Sequence, residues 1–257
     1  MRAVTALLVS LVAVAAVPTS QRIIGGSPTT IDQYPSIVAL LYASNANVFM
    51  HHCGGTLLNN RSIMTSATCT YGDPTSRWRV RTGSSFANSD GNTYGFSAFI
   101  YHPNFNSRSM DSDIVILRTS ANIPFSNVVQ PGSIAGANYN LGDNEVVWAA
   151  GFGWTGDQTS EHPDQLRHVQ ILSVNQGICR RRHAIGGLMI ITDNMLCSGF
   201  LDGGGRGICF GDFGGPLYHH NVVVGISSFR IHGCAHRLFP DVNTRVSRFT
   251  QWIIDNA

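Results

Sequence analysis

The strongest constraint on this chain is its punctuation: from residue 23 to about 246, short β-type runs alternate with clusters of turn residues. The runs 36–41 (SIVALL), 79–81 (RVR), 114–117 (IVIL), 145–148 (EVVW) and 222–226 (VVVGI) read as strands. Clusters such as 71–74 (YGDP) and 202–205 (DGGG) break the chain between strands. Many short strands at this spacing leave two all-β architectures open, a sandwich or barrels. The stretch 121–140, rich in Pro, Gly, Ser and Asn, is the best linker between two halves. Near the C-terminus, Phe249, Trp252 and Ile253 fall at i, i+3 and i+4, which predicts a one-faced helix docked on the body. No internal repeat is visible.

Composition narrows the function. Only 12% of the 257 residues are charged and 43% are hydrophobic, which excludes a disordered solvating chain. The formal charge is +2, and Arg180, Arg181 and Arg182 form the sole basic block, so no nucleic-acid partner is expected. All 17 basic residues are Arg. A Lys amine loses its charge near pH ~10.4 whereas Arg holds it, so the absence of Lys points to an alkaline working environment.

Residues 1–16 combine an early Arg, an apolar run over 6–14 and small residues over 13–16, the pattern of a secretory signal. The run is too short to span a bilayer, and no other stretch reaches ~18 apolar residues, so no membrane partner is expected. Export makes an even number of cysteines read as disulfides. With no CxxC and no Cys/His cluster at zinc-like spacing, neither metal nor cofactor is expected.

Four segments carry a resemblance. Residues 22–26 (RIIGG) look like an activation junction, 52–57 (HCGGTL) a strand entering a disulfide, 111–114 (DSDI) a DxDI segment, and 211–216 (GDFGGP) a GDSGGP segment. Together, over residues 23–257, the chain resembles the trypsin-like serine proteases, and its wording is most similar to lepidopteran midgut members. The resemblance implies two six-stranded antiparallel Greek-key barrels, about 23–130 and 131–245, a C-terminal helix over about 246–256, and an active cleft between the barrels. It also implies an activation peptide over 17–22 and disulfides Cys53–Cys69, Cys179–Cys197 and Cys209–Cys234.

These proteases use a Ser nucleophile, a His base and a buried Asp. Here the acid position holds Asp113, but the base position holds Thr68 and the nucleophile position Phe213. A Thr hydroxyl does not titrate in the working range, and a phenyl ring has no lone pair to attack with. Thr68 and Ser228 are the expected partners of Asp113, and the amides of Gly211 and Phe213 stand at the oxyanion-binding positions. In the specificity pocket the usual Asp is Gly207, and Asp241 stands on the opposite wall. Ser228, Phe229 and Arg230 line the entrance, and Arg230 is expected to fold inward onto Asp241. Cleavage after Arg22 by another trypsin would free the Ile23 amine to pair with Asp212. The loop 69–95 contains no Glu, so a calcium loop is not expected. Asn60 heads a glycosylation sequon. His51, His52, His219 and His220 read as surface or packing residues, and Phe152, Trp148 and Trp154 as core.

The reading is a secreted, monomeric homologue in an alkaline gut lumen that is not an enzyme and binds protease inhibitors, polypeptide or another protease as a decoy. The alternatives are an endopeptidase of weak residual activity and a non-functional duplicate.

Overall fold

A computed structural model describes residues 24–45, 48–154, 164–185 and 189–257. Twelve strands close two barrels. The first contains β1 (Ile37–Tyr42), β2 (Met50–Leu57), β3 (Ser62–Thr65), β4 (Trp78–Thr82), β5 (Asn92–Tyr101) and β6 (Val115–Thr119), paired in the cyclic order β1-β2-β3-β6-β5-β4. The second contains β7 (Val146–Gly151), β8 (Arg167–Val174), β9 (Met195–Gly199), β10 (Pro216–His219), β11 (Val222–Phe229) and β12 (Asp241–Arg245). Its order, β7-β8-β9-β12-β11-β10, repeats that of the first barrel strand for strand. Closure decides between the two architectures that the sequence left open, and it removes the exposed strand edges that a sandwich keeps.

Side-chain alternation explains the local patterns. In β4, Trp78, Val80 and Thr82 are buried while Arg79 and Arg81 reach outward. β1 is buried on both faces, which is why its sequence is an unbroken apolar run. Val38 and Leu40 join Trp78, Val80 and Leu117 in one cluster, whereas Ile37, Ala39 and Leu41 enter a cluster shared with Val147, Ile171 and Leu217 of the second barrel. The crossing segment is pinned rather than loose: Gly132 N donates to Leu57 O at 2.8 Å, and Ser133–Ile134 then pairs in parallel with β11.

Among the described residues three α-helices accompany the barrels: α1 (Ala67–Thr70), α2 (Gln176–Ile185) and α3 (Thr250–Asn256). α3 docks as its spacing predicts, with Ile253 buried, and the His102 ring packs 5.0 Å from both Phe249 and Trp252. α2 is not visible in the sequence, because its buried face consists of only Cys179 and His183 beside three consecutive arginines. All three implied disulfides are present.

The barrels touch through glycine. Gly54 N donates to Phe213 O at 2.8 Å, and a Cβ on Gly54 would lie 2.8 Å from the Gly215 Cα. Gly214, at φ +78°, would press a Cβ into the Thr65 hydroxyl. The glycines of 52–57 and 211–216 are therefore a demand of barrel contact, and they set the floor of the cleft.

Candidate active site

A cavity of about 690 Å³ opens at this contact, walled by Thr68, Met110, Trp154, Phe210, Phe213 and Arg230. α1, at the end of β3, places Thr68 on one rim, and its hydroxyl lies 3.4 Å from the Met110 sulfur. Behind it, Asp113 has no solvent exposure. Thr68 N donates to its Oδ1 at 2.8 Å and the Ser228 hydroxyl to its Oδ2 at 2.5 Å. Thr244 Oγ1 donates to the Asp113 carbonyl at 2.7 Å. Burial pushes the Asp113 carboxyl up to about 6, with the bonds from Ser228 and Thr68 pulling the other way.

Phe213 packs its half-buried ring against the cores of both barrels, and Phe210 stands edge-on to it at 6.3 Å. Between these two residues, Gly211 adopts φ +90°, and a Cβ there would meet Gly153 Cα at 3.1 Å and His51 Cε1 at 3.2 Å. Neither the Gly211 nor the Phe213 amide donates a hydrogen bond among the described residues. Asp212 turns away from the cavity: its carboxylate accepts from Gly153 N at 2.8 Å and Cys209 N at 2.9 Å, and burial raises it to about 6. A side chain on Gly151 or Gly153 would occupy that carboxylate's space. Sequence reasoning passed over both glycines, although their spacing around Phe152 was the available signal. Arg22 and Ile23 lie outside the described residues.

Gly207 and Asp241 do face each other. Asp241 Oδ2 accepts from Ile208 N at 3.1 Å, and a Cβ on Gly207 would come within 2.6 Å of that oxygen. The carboxylate fills the space that a side chain at 207 would need. Asp241 is 3% exposed and does not line the cavity. The flanking segments are laced together by Asp202 N to Arg237 O (2.8 Å), Gly205 N to Ala235 O (3.1 Å) and the Cys209–Cys234 disulfide. Burial drives Asp241 up to about 7.

Two expectations are corrected here. Arg230 forms no ion pair with Asp241; its guanidinium lies over the Phe210 ring, 4.1 Å from the centroid. The aromatic face, one residue before Gly211, outcompetes a carboxylate sealed behind backbone. Trp154 is not core: it is 41% exposed on the cavity rim, 5.7 Å from Phe210. His51 and His52 line the cavity, while His219 bonds to the Tyr139 hydroxyl at 2.8 Å elsewhere. Asn60 sits exposed at the β2–β3 hairpin tip, outside the cavity.

The trypsin family model matches residues 23–253. Alkaline trypsin B of Manduca sexta is 58% identical over 261 residues, covering all of both chains, and alkaline trypsin C of that species is 57% identical over the same span. Trypsin CFT-1 of Choristoneura fumiferana is 54% identical over 96% of each chain. These names overturn the expectation that the chain is not an enzyme, because relatives so similar over their full length are called trypsins. With two closed barrels, three disulfides and a match over nearly the whole of 23–257, the chain belongs to the trypsin family of serine proteases.

Proposed function

We propose that the chain is a secreted endopeptidase of the trypsin family that hydrolyses polypeptide at a weak, residual rate. The observation that carries the reading is the contrast inside the cleft. Among the described residues the amides of Gly211 and Phe213 have no protein acceptor, and Thr68 and Phe213, at the positions that the resemblance makes base and nucleophile, line the same cavity. Water is then the attacking group. Its oxygen bonds to the scissile carbonyl carbon, its proton passes to solvent, and the oxyanion accepts from the two amides; the adduct then collapses, the C–N bond breaks, and the leaving amine takes its proton from solvent. Asp113 acts as a positioning residue through Thr68 and Ser228.

The magnitude follows from what is missing. Loss of nucleophile or base costs a serine protease on the order of 10⁶ in turnover, and donors plus binding retain roughly 10³–10⁴ over water. A signal peptide over 1–16 and an activation peptide over 17–22 complete the reading, with a neighbouring trypsin cutting after Arg22 and Asp212 receiving the Ile23 amine. The all-Arg basic set supports an alkaline lumen, and the word alkaline in the relatives' names fits it. Its partners are polypeptide substrates and protein protease inhibitors; the cleft offers an inhibitor decoy nothing that it does not offer a substrate.

The test is amide hydrolysis by the chain cut after Arg22, before and after exposure to a serine-directed phosphonate. A slow turnover that survives the reagent supports the proposal. A rate that falls to the uncatalysed level would overturn it and expose a contaminating serine protease as its source.

A further inference from the structure

We infer that the cleft selects polypeptides by an acidic side chain, which Arg230 receives, rather than by a basic one. This deepens the proposed function and rests on its reading of the cavity as a polypeptide site.

Three observations converge. First, among the described residues lining the cavity none is an Asp or Glu, and Arg230 is the sole Arg. Second, that guanidinium has no carboxylate within 4 Å among the described residues, and its Nε is buried with no hydrogen-bond partner. Asp241 and Asp212 act on its charge only from beyond contact, and a ligand carboxylate on its terminal nitrogens would add the charge-assisted bonds that neither makes. Third, the acid that would attract a basic side chain is closed off: Asp241 is 3% exposed, turned onto Ile208 N and covered by the laced segments. Asp212, the other carboxylate nearby, is likewise buried, and each of its oxygens accepts from a backbone amide.

The stack on Phe210 fixes where the carboxylate is met. With one face of the guanidinium on the ring at 4.1 Å and Nε buried, the two terminal nitrogens are left for in-plane bonding. Phe210 and Trp154, both exposed on the same rim, give an apolar seat for the neighbouring residues of the ligand. The class is therefore a peptide that sets Asp or Glu beside an apolar residue.

The experiment is calorimetric titration of the chain cut after Arg22 with N-acetyl hexapeptide amides that differ at one position, Glu, Gln or Arg. A fourth peptide carries Gln and a free C-terminal carboxylate, to separate a side-chain source from a terminal one. The expected result is that the Glu peptide binds about tenfold or more tighter than the Gln amide, as one charge-assisted bond gives. Arg230→Gln should erase that difference, and Arg230→Lys should keep part of it. Preference for the Arg peptide, an unchanged preference in Arg230→Gln, tightest binding of the free-carboxylate peptide, or no binding by any peptide overturns the inference. Hydrolysis of an uncharged substrate, followed separately, distinguishes the two proposals. Glu preference without turnover leaves this one standing and sinks the enzymatic reading; turnover without preference does the reverse.

Discussion

The two ends of the cleft each bury a carboxylate, and they treat it differently. At the Thr68 end, Asp113 receives a donor on each oxygen, one from the first barrel and one from the second, so the acid ties the barrels together. At the Gly207 end, Asp241 has one amide donor and belongs wholly to the second barrel. The first site sets Thr68 and Phe213 in the cavity beside its acid, and each oxygen of that acid has a donor. The second has a carboxylate but no cation in contact. Buried charge is kept where hydrogen bonds satisfy it, whether or not a reaction still needs it.

The largest expected effect falls at the first end. Restoring Thr68→His and Phe213→Ser together should raise amide turnover by up to about 10⁶-fold, whereas either change alone should recover little, because nucleophile and base act as one unit. Steady-state kinetics on the three variants checks this. A near-complete gain from Phe213→Ser alone would mean that another residue serves as base, and the contrast between the ends would collapse.

At the second end the expected effect is on stability. An acid whose folded pKa of about 7 exceeds its unfolded value near 3.8 binds its proton more tightly when folded. Stability therefore falls as pH rises from about 4 to 7 and stays reduced above that. Asp241→Asn keeps an acceptor for Ile208 N and removes the charge. It should match the parent below pH 4 and exceed it by up to about 4 kcal/mol above pH 7, at ~1.4 kcal/mol per unit. Urea unfolding at pH 3.5 and 8.5 reads the difference; equal stability at both would show that Asp241 reaches solvent.

The disulfides sharpen the contrast. Cys53–Cys69 braces the first end and Cys209–Cys234 the second, at sequence separations of 16 and 25. Replacing either pair by Ala should cost about 3 kcal/mol on the chain-entropy account. Hydrogen exchange should then quicken around Thr68 in one variant and around Ile208 in the other. Faster exchange at both ends in each would make the cleft one cooperative unit. The smallest effect is expected away from both: Arg180→Ala breaks a largely exposed pair with Asp193 and should change stability by less than about 1 kcal/mol in thermal melts.

Much of this was legible in the chain itself. Alternation and turn clusters gave the strands, and the glycine-bearing segments 52–57 and 211–216 pointed to the family, because backbone contact between barrels leaves no room for other residues. The repeat of strand order was not legible, since the barrels share connectivity without sharing sequence. At the site, the chemical types at 68, 113 and 213 could be read directly. The direction of a long side chain could not: Arg230 turns to Phe210 because Asp241 is sealed by backbone bonds formed far along the chain. Trp154 was misread for the same reason, as aromatic type alone does not separate a core ring from a rim ring.

The most direct test of the central claim is intact-mass spectrometry of the chain cut after Arg22 and acid-quenched while it turns over an activated ester. The account predicts slow product release with no mass added to the protein, because Phe213 can form no ester bond, whereas the Thr68→His, Phe213→Ser variant should carry one acyl group. A stoichiometric acyl adduct on the unaltered chain would contradict it.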